Sequence, residues 1–251
     1  MSIQRSAEAI ARISRQEWAQ ILGGDPATAA EWLQAAAALD VAEAQTVLGQ
    51  WHLEGRGVAQ DPAAARKWFE RAARHADPMA MNMLGRCHEH GWGAEADAAQ
   101  AASWFRRAAD AGLEWAMYNL GNLLATGRGV AQDQSQALEW YRKAAGRGHA
   151  RSMNMVGRYC EEGLVVERDA VAALQWYRRS AEAGDFRGQF SYASMLAEAG
   201  QVEQALAWFE KVPAGATPAF TFKAAQSLAA SPQAPLREAG LRMLASLPQA
   251  A

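Results

Sequence analysis

The 251-residue sequence contains little cysteine, little proline and no excess of charge of either sign. Its two cysteines provide no framework of repeated disulfides, which favours a reducing compartment. Lys and Arg total 25 against 27 Asp and Glu, a net charge of −2. The sequence therefore lacks the basic block typical of proteins that bind nucleic acid. With only eight prolines and 59 alanines, long stretches are free to form closely packed helices.

Long apolar runs are also missing. Residues 1–10 include charged side chains where a secretory signal needs an apolar segment, and no later stretch approaches about eighteen apolar residues. We therefore expect a cytoplasmic protein that has no membrane partner.

Tryptophan, in contrast, is abundant, and six of the ten recur at a regular interval. These six are Trp32, Trp68, Trp104, Trp140, Trp176 and Trp208, separated by 36 residues four times and then by 32. Columns that start at Leu48, Gly49, Gly55 and Asp61 follow the same step. A period of this length is typical of stacked supersecondary units, none of which can bury its apolar face alone.

Each unit carries the pattern of two helices. An apolar stripe with i, i+3, i+4 and i+7 spacing begins at Ala44 and predicts the first helix. Gly55 is suited to end that helix because glycine tolerates positive φ. Asp61 and Pro62 are suited to begin the second helix, where Trp68 lies on the inward stripe and forms part of the core. The sequence thus predicts an all-α protein, a right-handed α-solenoid of helix-turn-helix units.

The repeating motifs resemble the Sel1-like repeat, a relative of the tetratricopeptide repeat. The clearest copy has Ala-x3-Leu-Gly from Ala116, Gly-x-Gly-Val-x2-Asp from Gly127 and Ala-x2-Trp-Tyr-x2-Ala-Ala from Ala137. Four copies cover residues 44–187. A fifth copy, residues 188–212, has lost four residues from the turn between its helices.

The remaining sequence is predicted to cap the array. Residues 1–43 would hold N-terminal capping helices, the first starting near position 6, and a partial repeat that retains only a second helix. Residues 213–251 would hold C-terminal capping helices. We therefore predict a single solenoid domain over residues 1–251.

The sequence contains no recognisable catalytic or metal-binding motif. Cys87, His88 and His90 are close in sequence, but they lack the i, i+3 or i+4 spacing that brings ligands together on a helix. Cys87 and Cys160 lie two units apart, too far for a disulfide. The sequence has no phosphate-binding loop, dinucleotide fingerprint or nucleophile elbow. We therefore predict no catalytic residues, no metal and no cofactor.

The resemblance places the functional surface on the concave face, which the first helices line in tetratricopeptide modules. Trp, Tyr and Arg dominate interface hot spots, and Asn can both donate to and accept from a peptide backbone. The predicted partner-binding residues are Asn82, Arg86, Trp115, Tyr118, Asn122, Arg151, Asn154, Arg158, Arg187 and Phe190. An alternative is that Trp115 packs on the preceding turn and that the arginines are solvated or pair with Glu89 and Glu161. For Trp92, in an inter-helix turn, packing and partner contact are both open.

These observations predict a non-catalytic scaffold or adaptor that binds a protein or peptide. One alternative is an RNA-binding helical repeat, against which the net charge of −2 argues. Another is a metal-dependent enzyme or metal-binding protein centred on Cys87–His90.

Overall fold

The computed structural model describes residues 7–247, all of whose regular secondary structure is helical. The predicted helix start at position 6 lies outside the described residues. The helices are α1 (Ala7–Arg12), α2 (Arg15–Gly23), α3 (Pro26–Ala38), α4 (Ala42–Glu54), α5 (Pro62–Arg74), α6 (Pro78–His90), α7 (Ala98–Asp110), α8 (Glu114–Thr126), α9 (Gln134–Gly146), α10 (Ala150–Glu162), α11 (Ala170–Glu182), α12 (Phe186–Glu198), α13 (Val202–Phe209), α14 (Val212–Gly215), α15 (Pro218–Ala229) and α16 (Ala234–Ser246).

The described residues divide after Asp133 into two compact units. The N-terminal unit contains α1–α8, and the C-terminal unit contains α9–α16. Within each unit, consecutive helices pack against each other in pairs. The predicted all-α fold of helix-turn-helix repeats is confirmed, whereas the single-domain organisation stays a prediction.

The repeat is uniform at the level of helix length. The first helices α4, α6, α8, α10 and α12 each have 13 residues, as do the second helices α5, α7, α9 and α11. Seven residues, such as 55–61, join the two helices of a full repeat, whereas residues 199–201 alone join α12 to α13. Gly55 ends α4 with φ of 70°, and the Asp61 side chain accepts from the Ala63 and Ala64 N–H groups at the start of α5.

The residue after each repeat tryptophan fills the core. These side chains are at most 2 % exposed and include Phe69, Phe105, Tyr141 and Tyr177. The tryptophans lie at the edge of the core: Trp140 is 8 % exposed and the other five are half-buried. The predicted inward stripe therefore has its centre at the residue after the tryptophan, and the tryptophan itself lies at the margin of the core.

A cation three residues further along covers five of the tryptophans. Its charged group lies 3.7–4.8 Å from the ring centroid. The pairs are Trp68–Arg71, Trp104–Arg107, Trp140–Lys143, Trp176–Arg179 and Trp208–Lys211. Each such contact stabilises by about 0.5–1 kcal/mol at an exposed site. The indoles thus remain at the surface because the cation, rather than another helix, covers their outer face.

The glycine of the Leu-Gly motif makes room for the buried aromatic ring. A Cβ placed on Gly85 would lie 2.5 Å from two Phe105 ring carbons, and one on Gly49 would lie 2.6 Å from Phe69. No real Cβ approaches carbon so closely. The ring therefore packs directly on the backbone of the first helix, which fixes the separation of the two helices in a repeat.

The second turn glycine joins one repeat to the preceding one. A Cβ on Gly93 or Gly129 would overlap the backbone at the start of α5 or α7, and both glycines have φ near 70°. In the fourth repeat Val165 occupies this position with φ of 51° and is 53 % exposed. A non-glycine residue thus adopts the left-handed backbone conformation at this position.

Helix α8 provides a test of capping. Asp77 accepts from the Ala80 N–H at the start of α6, but the equivalent residue before α8 is Leu113, which has nearly the same extended backbone and no capping side chain. We expect Leu113→Asp to be more stable than Leu113→Ala by about 1 kcal/mol, because the new carboxylate accepts from the first turn. Thermal unfolding of the two variants measures the difference. Equal melting temperatures would show that the α8 N–H groups are already satisfied.

Candidate functional site

The first helices of the N-terminal unit expose two large apolar side chains at equivalent positions. Met79 on α6 is 41 % exposed and Trp115 on α8 is 42 % exposed. Both lie in the first helical turn, 36 residues apart. Tyr118 and Asn122 follow Trp115 on the same helical stripe and are half-buried. This stripe is the surface of the N-terminal unit that best fits the predicted partner-binding face.

Asn82 takes a different role from the predicted one. It is 5 % exposed, and its Oδ1 accepts a hydrogen bond from Asn119 Nδ2 at 2.9 Å. The bond joins α6 to α8. This hydrogen bond therefore uses the amide oxygen that was expected to face a peptide backbone.

Arg86 is held by Trp92, the turn tryptophan whose role the sequence left open. Its guanidinium lies 4.9 Å from the Trp92 ring centroid, and the His90 ring lies 4.8 Å from the same indole. Both groups pack on Trp92 within one repeat. The sequence did not predict this pairing. Gly91 ends α6 in the αL conformation, and the chain then brings Trp92 back beside Arg86, six residues earlier.

Glu89 pairs with an arginine, but with Arg128 and not with one from the predicted set. Its carboxylate accepts from Arg128, in the turn after α8, and also lies 3.8 Å from His90. Glu89 therefore connects the ends of two neighbouring repeats. Arg86 lies beside this network rather than within it.

In the C-terminal unit, α10 carries Arg151, Asn154 and Arg158 from the predicted set. Arg151 and Arg158 are exposed, and Arg158 pairs with Glu162 at 3.4 Å. Asn154 is 8 % exposed, and its Oδ1 has no hydrogen-bond partner among residues 7–247. Glu161, which the alternative interpretation paired with these arginines, accepts from the Tyr177 hydroxyl at 2.6 Å. Arg151 and Arg158 remain candidates, whereas Asn154 is enclosed by α10 and its neighbours.

Arg187 and Phe190 on α12 are used in packing. Phe190 makes edge-to-face contacts with Phe209 and Phe220, and Arg187 lies over Phe186 and Phe220. Phe220 belongs to α15 in the predicted C-terminal cap. The repeat pattern placed both residues on an open face, but the capping helix contacts them there.

The Cys87–His90 segment forms the last turn of α6. Cys87 is buried, and burial raises its thiol pKa to about 11. Burial and the nearby Arg66 cation lower the pKa of His88. Within the described part of the chain, no group of three or more His, Cys, Asp or Glu side chains is placed to hold a metal ion. None of the helices from 7 to 247 is sufficiently long and apolar to cross a membrane.

Comparison with protein families gives one match, the Sel1 repeat. The family model matches residues 18–41, 42–77, 78–113, 116–149 and 150–185. Four of these segments coincide closely with the helix pairs α4–α5, α6–α7, α8–α9 and α10–α11, whereas 18–41 covers all of α3 but only part of α2. No curated protein matches the chain.

Solved structures include similar repeat proteins. A Sel1 repeat protein from Oxalobacter formigenes is 27% identical, with a TM-score of 0.79 over 91% of this chain and 96% of its own. A protective antigen of uropathogenic Escherichia coli with an SLR fold is 26% identical, with a TM-score of 0.71; the match covers 91% of this chain and 51% of that protein. This chain thus spans about half of the antigen. An immunity protein from Pseudomonas aeruginosa shares the fold, at 14% identity, with a TM-score of 0.55 over 82% of this chain and 81% of its own.

Proposed function

This chain belongs to the Sel1 repeat family, and we propose that it is a non-catalytic scaffold whose first helices bind a peptide or protein segment. Sel1 repeat proteins generally mediate protein–protein interactions. The two cysteines are buried and unpaired, which agrees with a reducing compartment such as the cytoplasm.

Exposure of Trp115 is the observation that carries the proposal. The repeat places a large side chain in the core at the position after each repeat tryptophan, but Trp115 lies outside those columns and is 42 % exposed. An indole combines a large apolar area with a polar N–H group and little rotamer entropy, which suits it to anchor a partner. Met79 extends the apolar area onto α6, and a flexible thioether adapts readily to different partners.

Polar groups around the anchor would set the orientation of the bound segment. Tyr118 and Asn122 lie one and two turns further along α8. Phenol and amide groups can donate to and accept from an extended backbone. In the C-terminal unit, described by itself, Arg151 and Arg158 are exposed on α10 and would contact acidic groups of a partner, in the case of Arg158 in exchange for its pairing with Glu162. We assign Arg86 a positioning role, since it packs on Trp92.

Partners should first be captured with the wild-type chain and identified, and the affinity of each should then be measured by calorimetry. We expect Trp115→Ala to weaken binding by about 2–3 kcal/mol, roughly 30- to 160-fold, because the anchor loses its buried area. Leu39→Ala is the matched control, since Leu39 is 46 % exposed but lies outside the stripe. Far-UV circular dichroism should be unchanged in both variants. Equal affinities for the two variants would contradict the assignment of Trp115.

A further inference from the structure

The N-terminal unit contains an apolar pocket that none of the predicted sites includes. It has a volume of about 650 Å³ and lies among α2, α3 and α4. Its lining residues are Arg15, Trp18, Leu22, Leu33, Val41, Glu43, Ala44 and Val47. Six of the eight are apolar, and the volume falls within the range of about 300–1,000 Å³ that is typical of ligand pockets.

The pocket is explained by an incomplete repeat. Helix α2 has nine residues, whereas the first helices of the later repeats have 13, and only residues 24–25 separate α2 from α3. The shortfall of four residues is about one helical turn, or about 6 Å. Leu33 also occupies the position at which later repeats carry Phe69 or Tyr141. The N-terminal repeat therefore provides less helix and a smaller core side chain to cover α3 and α4.

Charge at the pocket mouth favours an acidic ligand. Arg15 is exposed and forms no hydrogen bond or ion pair with any residue in 7–247. Glu43 lies in the first turn of α4, whose partial positive charge stabilises a carboxylate. The helix terminus thus stabilises the negative charge of Glu43, whereas no described group pairs with the positive charge of Arg15.

We propose that this pocket binds a helical segment of a partner protein that presents two large apolar side chains four residues apart and a neighbouring carboxylate. The apolar pair would cover the surface that a longer α2 would cover, and the carboxylate would pair with Arg15. Binding of an amphipathic helix in an apolar groove is a common mode of peptide recognition. The inference rests on the proposed scaffold function and adds a second contact, separate from Trp115.

The probe for the test is a blocked, alanine-based peptide with Phe and Leu four residues apart and one Glu in the adjacent turn. Its affinity is measured by fluorescence anisotropy with a dye-labelled copy. We expect Val41→Trp, which fills the mouth of the pocket, to weaken binding at least tenfold. Leu39→Trp is the matched control, because Leu39 is also an exposed apolar residue but does not line the pocket, and it should change the affinity less than twofold.

The electrostatic part is tested by a second matched pair. Arg15→Glu should weaken binding about tenfold, whereas Arg12→Glu should have little effect, because Arg12 is exposed on α1 and does not line the pocket. A peptide with Lys in place of Glu should bind correspondingly weakly to the wild type. Circular dichroism checks that each variant remains helical. Equal binding of the Glu and Lys peptides would overturn the assignment of Arg15.

Other outcomes distinguish this pocket from the Trp115 surface and from other occupants. Trp115→Ala should leave the affinity for the probe unchanged, so failure of the Trp115 assignment does not affect this test. No binding to the wild type, or equal binding to Val41→Trp, would overturn the proposal. A dimer that dissociates in Val41→Trp, seen by sedimentation, would assign the pocket to a second copy of the chain. Tighter peptide binding after removal of residues 1–6 would assign it to the chain's own N-terminus.

Discussion

Gly85→Ala should destabilise the protein by about 3 kcal/mol, at the upper end of the cost of overpacking. The added methyl would lie 2.5 Å from the Phe105 ring, and the ring is completely buried. It therefore cannot move without displacing other core residues or separating α6 from α7. Urea denaturation, followed by circular dichroism, measures the loss of stability.

The control is the double substitution Gly85→Ala with Phe105→Leu. Leucine occupies the equivalent position in α3, as Leu33, and is smaller than the ring. The two changes together should cost less than the sum of the single changes, because they share one contact. An additive result would show that Gly85 is required for a reason other than the space occupied by Phe105.

Gly129→Ala is expected to have the second large effect, about 4 kcal/mol, which is unusual for a single surface substitution. Its Cβ would overlap the carbonyl group of Ala98 at the start of α7. Backbone atoms cannot rotate away as a side chain can. Thermal unfolding should show the loss as a strongly lowered melting temperature.

Gly127→Ala provides the control two residues away. Gly127 has φ of 70° and Gly129 has φ of 69°, so both substitutions carry the same left-handed backbone penalty of about 1–2 kcal/mol. The atom nearest to a Cβ on Gly127 would be the Gln132 Cβ at 3.2 Å, followed by the Gln132 backbone N at 3.6 Å, so this Cβ would not overlap any backbone atom. The difference between the variants therefore measures the close contact between repeats. If the two variants lose equal stability, the close contact between Gly129 and the start of α7 does not contribute to the stability of the fold.

The sequence predicts contacts that repeat along the chain. Leu48, Gly55 and Asp61 begin columns with a constant step, so one helix-turn-helix unit can be derived once and applied to the others. The same periodicity could not decide whether Trp68 or Phe69 occupies the core. Both residues lie on the inward side of α5, and their burial depends on the close packing of Phe69 on Gly49 and on the cation that covers Trp68.

The repeat pattern cannot predict contacts that occur only once in the chain. Phe190 and Arg187 are contacted by Phe220, which belongs to a capping helix with no equivalent elsewhere. Asn82 pairs with Asn119, but the equivalent residues in the next pair of first helices are Tyr118 and Met155. The short helix α2, which creates the pocket, also has no periodic signal. Such contacts need the positions of the helices themselves.

Site-specific photo-crosslinking most directly tests whether the first helices bind the partner. The photoreactive residue p-benzoylphenylalanine would replace Met79 or Trp115 on first helices, and Lys67 or Ser103 at exposed positions on the second helices α5 and α7. Each variant would be irradiated with a partner identified by capture. Our account predicts crosslinks from positions 79 and 115 and none from 67 and 103. Crosslinks from 67 and 103 alone would contradict it and place the binding surface on the second helices.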